Sequence, residues 1–310
     1  MGLWLVLFLM EHLLVNSQAA LLLGDNARGF IEMVNSIHNL PYLEAIELCL
    51  LGVPILIHMV WGIKYLLTSK QNNYGGGGAK PHLQYGRNRA FTWQRITSWI
   101  LVFGLIGHVV KFRFLDYPTS INQGNESFYF IRVNLDNGLY TVADRLGVAL
   151  YDAKAVEKEQ IEFMSREGEE ALIDISKNFA ESTKLDSHKE VILLSAQKYM
   201  QKAEYIEQLE KWSLEPGQVV AVATDFGTAS LLAVRDTFKS PVYCVLYTIF
   251  VLAACFHGFN GLWTFLITWG VVLKMAAQKA AVRWCVGLML AIIFLGLSAI
   301  WGTYWFNLRT

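Results

Sequence analysis

Five runs of almost uninterrupted apolar residues alternate with polar segments along the chain, at about residues 2–23, 44–67, 94–115, 243–269 and 284–306. A helix needs about 20 residues to cross a hydrocarbon core of about 30 Å, and each run is long enough. Between the third and fourth runs the pattern changes to amphipathic. Ile161, Met164, Gly168, Leu172, Ile175 and Phe179 follow i, i+3, i+4 spacing, and so do Ile192, Ala196, Tyr199, Ala203, Ile206 and Leu209. These predict two helices in an antiparallel hairpin, the second opened by a capping box from Ser187 to Glu190. A strand-like stretch at 128–133 precedes them and a Gly-containing return at 219–238 follows. The predicted fold class is an all-α membrane protein, a five-helix bundle with a mainly helical insert. Its segments are transmembrane helices I–III at 1–115 with a loop at 68–93, the insert at 116–240, and helices IV–V at 241–310.

Composition agrees with a lipid environment. Hydrophobic residues make up 54% of the 310 and charged residues 17%, against about 25% charged in a typical soluble domain. Net charge is zero, which argues against a strongly basic nucleic-acid binder and an acidic solvated tail. The average hides a segregation. Residues 114–240 carry 13 Lys/Arg and 21 Asp/Glu, while the remaining 183 residues carry only 18 charges.

The charges also predict orientation. Residues 64–95 hold six Lys/Arg and no acid, residues 274–283 hold three and no acid, and residues 25–47 hold one Arg and four acids. The two basic loops are expected to face the cytoplasm, leaving the N-terminus cytoplasmic and the C-terminus and insert extracytoplasmic. The first run competes with a signal peptide, because Asn16, Ser17, Gln18, Ala19 and Ala20 are small or polar. No Lys or Arg precedes it, however, and Glu11 and His12 interrupt it, so a retained span is expected. Trp99, Trp263, Trp269, Trp301 and Trp305 read as interfacial belt or core aromatics. The four cysteines, Cys49, Cys244, Cys255 and Cys285, lie outside the insert, which excludes a disulfide framework there; they read as small buried hydrophobes. No CxxCH site for covalent haem is present.

The histidines carry the functional argument. His38, His82 and His188 read as lying in polar loops, where a solvated imidazole is ordinary. His12, His58, His108 and His257 fall one in each of the first four spans. Ionisable groups at that depth are rare and point to function. A helix-bridging hydrogen bond explains any one of them alone, but less readily one per helix. His58, His108 and His257 each lie 14 residues into their spans, but the third span runs in the opposite direction. His58 and His257 can therefore meet at an inner level and His12 and His108 at an outer one, about 5–10 Å apart along the membrane normal. Two stacked bis-histidine sites in an apolar bundle suit two b-type haems. A dinuclear metal site fits poorly, since Glu11 is the one nearby carboxyl and projects about 100° away from His12.

The strings FLMEHLLVNSQAALLLGDN, LPYLEAIE, HMVWGIKYLLTSKQN, FTWQRITSWILVFGLIGHVV and HGFNGLWTFLITWG resemble the di-haem cytochrome b membrane-anchor subunit of bacterial succinate:quinone oxidoreductases, of the single-anchor, five-helix type. The resemblance covers all five spans and about 180 residues. It implies a haem-binding bundle in which His12 and His108 hold the distal haem b and His58 and His257 the proximal one. It also implies electron transfer from flavoprotein and iron–sulfur subunits of succinate dehydrogenase to a quinone, menaquinone being expected, in a bacterial cytoplasmic membrane. Such an anchor does not itself oxidise succinate, and no dinucleotide fingerprint or ferredoxin-type cysteine run appears here.

Lys64, Arg89 and Arg95 are candidate partners for inner-haem propionates, and Lys111 and Arg113 for the outer ones; each is equally an interfacial anchor. Asp25, Asn26 and Glu32, at the outer end of helix I, are candidate quinone contacts or ordinary turn and first-turn residues. Gly75–Gly78 reads as a docking loop or a linker. Two departures from the family stand out. Only eleven residues precede His12, where relatives begin helix I earlier with an Arg- and His-Ser-containing segment. Cys255 stands where some fumarate reductases carry a Glu two residues before the helix-IV His, so no proton path along helix IV is expected.

Other classes remain open. The cytochrome b subunit of a hydrogenase, formate dehydrogenase or nitrate reductase would share haem and quinone but take a different soluble partner. A membrane sensor or transporter would explain the topology and leave four intramembrane histidines unassigned. For the insert, packing over the outer haem is favoured over a partner-binding or quinone-lid role.

Overall fold

The computed structural model describes residues 1–21, 27–68, 86–165, 177 and 186–309. They fall into two compact units, one of residues 1–115 with 237–309 and one of residues 116–236.

The first unit is a helical bundle. Among the described residues five helical stretches are long and apolar enough to cross a membrane: Gly2–Leu21, Leu43–Tyr65, Arg89–Leu115, Pro241–Thr268 and Met275–Leu308. The expected all-α membrane architecture is therefore present. The spans are built from α1 (Gly2–Leu21), α3 and α4 (Leu43–Glu47 and Val53–Thr68), α5 (Gly86–Val109), α10 (Pro241–Thr268), and α11 and α12 (Met275–Leu297 and Thr303–Arg309). A short amphipathic helix, α2 (Arg28–His38), follows the first span. Pro241 at the first turn of α10 sets a helical φ where its missing N–H costs no hydrogen bond.

Three spans carry a π-helical turn, at Leu48–Gly52, Val110–Leu115 and Ser298–Gly302. All three lie toward one end of the bundle. Glu47 beside the first is ion-paired to Arg113 in the second, and Ala20 at the end of α1 lies against Gly302 in the third.

The bundle is apolar inside and out. Leu13, Val15, Cys244, Val251, Cys255, Phe259 and Ile300 are buried, while Leu56, Val60, Trp61, Phe103, Ile106 and Phe114 face outward. Lipid, unlike water, exerts no hydrophobic pressure to cover such a surface, so close packing has to come from small residues. Gly296 meets this need: a Cβ there would sit 2.6 Å from Val251 Cγ1. Three cysteines behave as small buried hydrophobes, as expected, whereas Cys49 is exposed.

The second unit adds a four-stranded antiparallel sheet that the hydropathy pattern only partly announces. Strands β1 (Thr119–Gln123), β2 (Glu126–Asn134), β3 (Ala149–Tyr151) and β4 (Gln218–Ala223) pair in the order β1-β2-β4-β3. Gly124, with φ of 65°, opens the two-residue turn of the β1–β2 hairpin. Helix α6 (Asn137–Leu146) is capped by Asp136, which accepts a hydrogen bond from Leu139 N at 2.9 Å, and ends at Gly147 in the left-handed region. Asp136 also accepts two hydrogen bonds from the buried Arg235 guanidinium, at 2.7 and 2.8 Å.

Helices α7 (Ala153–Met164) and α8 (Asp186–Glu210) pack antiparallel, with Phe163 stacked on Tyr199 and Lys202 paired with Glu159. An antiparallel helix pair is thus present, but its first helix runs Ala153–Met164 and holds only Ile161 and Met164 of the predicted stretch. Gly168, Leu172, Ile175 and Phe179 lie outside the described residues, and so do the side chains of Ser187 and Glu190. The predicted return at 219–238 is instead β4 followed by helix α9 (Phe226–Thr237). The core of this unit gathers Ile121, Phe130, Leu209, Val220 and Val222, with Tyr205 and Trp212 against them. Burial and the neighbouring Tyr151 hydroxyl push the Tyr205 phenol up, so its O–H stays protonated and donates to Tyr151 at 3.2 Å.

Candidate functional site

The four intramembrane histidines come together as two pairs. His12 of α1 faces His108 of α5 with ring centres 5.8 Å apart and planes at 84°. His58 of α4 faces His257 of α10 at 6.2 Å and 83°. A metal–imidazole bond of about 2 Å, with the nitrogen about 1.1 Å from its ring centre, puts two rings sharing one axial metal about 6 Å apart. Both separations match that span.

The pairs lie at different depths. A Cβ on Gly2 would be 3.8 Å from His58 Cε1, so the start of α1 is level with the His58–His257 pair. His12 is ten residues further along α1, which corresponds to about 15 Å. Tyr247, which contacts His108, lies the same ten residues from His257 on α10. The spacing expected from the sequence was smaller because it was counted from Gln94, whereas α5 begins at Gly86 and its first turns are polar.

The surroundings of each pair are mainly apolar and aromatic. Phe8 stacks on His12 with ring centres 5.4 Å apart, while Phe112, Tyr247 and Phe250 lie 5.3 to 5.9 Å from His108. The Tyr247 hydroxyl is 3.3 Å from His108 Nδ1, which leaves Nε2 as the nitrogen available to a ligand. Gly104 on α5 permits the approach of Phe250: an added Cβ would be 2.4 Å from Phe250 Cδ2. Around the other pair, Gln94 donates to the His257 carbonyl at 3.1 Å and accepts from Asn260 at 2.8 Å, tying α5 to α10. Among the described residues the buried His257 Nδ1 has no hydrogen-bond partner.

Among the described residues no group of three or more His, Cys, Asp or Glu side chains converges on a metal position. Each pair therefore offers two nitrogen donors in an apolar setting. That donor set fits a group that brings its own equatorial ligands, as haem does, better than a bare ion requiring four or more protein ligands.

The remaining candidates are dispersed. Lys64 sits over the Trp61 ring at 5.3 Å and Arg95 over Phe91 at 5.8 Å, with Arg95 next to Gln94 on α5. Lys111 lies over Tyr243 at 4.9 Å, and Arg113 pairs with Glu47 at 3.1 Å. Glu32 is exposed and paired with Arg28 at 2.6 Å. Asp25, Asn26, His82 and the glycine run lie outside the described residues.

The sequence reading missed Tyr247, Phe250 and the Gln94–Asn260 clamp, although Gln94 and Asn260 belong to the quoted strings QRIT and NGLWTF. It also missed a polar group at the far end of the bundle: His38 is not a solvated loop residue but ends helix α2, partly buried near Glu47 and Arg113. Burial lowers the His38 pKa, Glu47 raises it and Arg113 lowers it further.

With this geometry established, comparison with known proteins adds one relative. Over 107 residues the chain is 32% identical to the succinate dehydrogenase cytochrome b558 subunit of Bacillus subtilis (strain 168), covering 34% of this chain and 48% of that protein. The chain resembles a succinate dehydrogenase cytochrome b subunit. The match supports the resemblance at the level of a succinate dehydrogenase cytochrome b anchor, and it spans about half the length of the curated relative. No family model matches the chain, and no solved structure matches it. Its five apolar helices and this relative together support a membrane location.

Proposed function

We propose that this chain is the membrane-anchor cytochrome b subunit of a succinate dehydrogenase, binding two b haems and passing electrons from an iron–sulfur subunit to a quinone. The observation that carries the reading is the pair of opposed histidine couples, 5.8 and 6.2 Å between ring centres, stacked along one apolar bundle. Haem would supply one-electron redox chemistry when held by such imidazole nitrogens. His12 and His108 would hold the distal haem, and His58 and His257 the proximal one. Tyr247 would fix the orientation of His108, and the Gln94–Asn260 clamp would fix the helix bearing His257. The aromatic walls of Phe8, Phe112 and Phe250 would exclude water.

Lys64 and Arg95 are the proposed partners of the proximal propionates. The basic segments at 64–95 and 274–283 face the cytoplasm in this reading and receive the flavoprotein and iron–sulfur subunits, while the second unit and the C-terminus lie outside. Asp25, Asn26 and Glu32 remain proposed contacts for the quinone, menaquinone being favoured. Quantifying haem in the purified chain, by reduced-minus-oxidised spectrum and pyridine haemochrome, tests the assignment together with co-purification of the soluble subunits. About two haems per chain are expected. His58→Ala or His257→Ala should remove one and leave the other. A haem-free protein from haem-replete membranes would overturn the reading.

A further inference from the structure

A cleft of about 770 Å³ lies between α10, α11 and the first turns of α5, at the end of the bundle where α10 stops and α11 starts. It does not include either histidine pair. Along α11 it runs from Met275 to Met289, fourteen residues or about 21 Å. That length exceeds half the hydrocarbon thickness, about 15 Å, so the cleft runs from a membrane surface through one leaflet. Its polar side chains are grouped and its deep wall is not: Gln278 and Lys279 stand in the second turn of α11, while Val282, Val286 and Met289 continue the wall inward.

The polar groups on the cleft are two amides, an indole and an ammonium, with no carboxylate among them. The amides already have partners. Asn260 Nδ2 donates to Gln94, and Gln278 Nε2 donates to the Leu273 carbonyl at 3.2 Å. Lys279 is exposed and forms no ion pair with a described residue. Lys274 and Arg283 flank it, and residues 274–283 contain no acid. The ligand chemistry this selects is an anion at the surface joined to long apolar chains. A neutral quinone would leave the ammonium unmatched.

We propose that this cleft seats one anionic phospholipid, with its phosphate on Lys279 and an acyl chain along Val282, Val286 and Met289. Basic pockets between membrane helices hold acidic headgroups in the same way. The seat buttresses the start of the fifth span against α5 and α10 and does not depend on haem.

The test is native mass spectrometry of the full chain released from nanodiscs of equal phosphatidylglycerol and phosphatidylcholine, with haem measured in the same samples. One phosphatidylglycerol should stay bound per chain. Lys279→Gln should lower its retention about fivefold, the worth of one basic group near a lipid surface, and Lys279→Arg should preserve it. Val282→Trp should displace the chain and lower retention of either lipid, with haem content unchanged. Equal retention of the two lipids, or insensitivity to Lys279→Gln, would overturn the proposal. So would displacement of the lipid by added menaquinone with equal potency in the wild type and Lys279→Gln, which would mark the cleft as a quinone seat.

Discussion

Replacing Gly104 with alanine puts a single methyl group where the structure has no room for one. The new Cβ would stand 2.4 Å from Phe250 Cδ2, 2.8 Å from Cε2 and 3.2 Å from Cγ, so the ring itself and not a flexible tip must yield. Ordinary van der Waals contact begins near 3.4 Å, so Phe250 has to retreat by about 1 Å or α5 and α10 must part. Overpacking of this kind costs about 1–3 kcal/mol. Alanine also gains about 1 kcal/mol in helix propensity over glycine, which masks part of the cost. Gly107→Ala corrects for this, because its Cβ would meet nothing within 4 Å in the same helix. The difference between the two variants isolates the clash at about 1–3 kcal/mol.

Phe250 lies 5.9 Å from His108, so moving its ring disturbs the wall of the His12–His108 pair. A penalty of that size, carried into binding, weakens a ligand there about 5- to 150-fold. Haem per chain should fall toward half in Gly104→Ala and stay unchanged in Gly107→Ala, read by pyridine haemochrome, with melting followed by circular dichroism. Phe250→Leu should restore Gly104→Ala in the double variant, since neighbours in contact are not additive. Equal melting temperature and equal haem in the two alanine variants would refute the packing argument.

Three other perturbations are diagnostic. Tyr247→Phe removes the hydroxyl at His108 Nδ1 and should weaken haem at that pair about 10- to 100-fold, measured by haem transfer to apomyoglobin, with the His58–His257 pair unaffected. Asp136→Ala removes both the cap of α6 and the partner of the buried Arg235; breaking such a pair costs about 3–5 kcal/mol, to be read as earlier thermal unfolding of the full chain, and Asp136→Asn should recover part of it. His38 has a depressed pKa, with burial as the largest cause. Above pH 6.5 it is neutral whether packed or open. As pH falls through 6.5 the open state binds the proton first, so α2 should lose hydrogen-exchange protection in acid, and His38→Gln should flatten that slope.

What the sequence made legible follows from the range of each interaction. A membrane span declares itself within about twenty consecutive residues, and an imidazole inside one is conspicuous without any partner in view. The pairing of His12 with His108 and of His58 with His257 needed only alternating span direction in addition. Depth was harder, because the polar residues Gly86, Arg87, Asn88 and Arg89 continue α5 beyond the apolar run from which His108 was counted. The sheet was harder still. β1 is polar, β3 has three residues, and the β4 run Gln218–Ala223 is buried along almost its whole length and lacks alternation. Asp136 and Arg235 meet across 99 positions, and no local pattern connects them.

The three π-helical turns have a consequence for how the bundle tolerates changes in chain length. Each holds one residue more than an α-turn would, so deleting one residue from Leu48–Gly52 can be absorbed by reverting to α-geometry. The two sides of the deletion would then keep their relative rotation, because the wide turn covers the same angle with one residue more. With the helix anchored at His58, Glu47 would stay beside Arg113 and keep the electrostatic setting of His38, whereas a deletion in the α-helical stretch between Val53 and His58 would turn Glu47 away by about 100°. A deletion in the wide turn is silent in rotation: it shortens the span while both ends keep their aim.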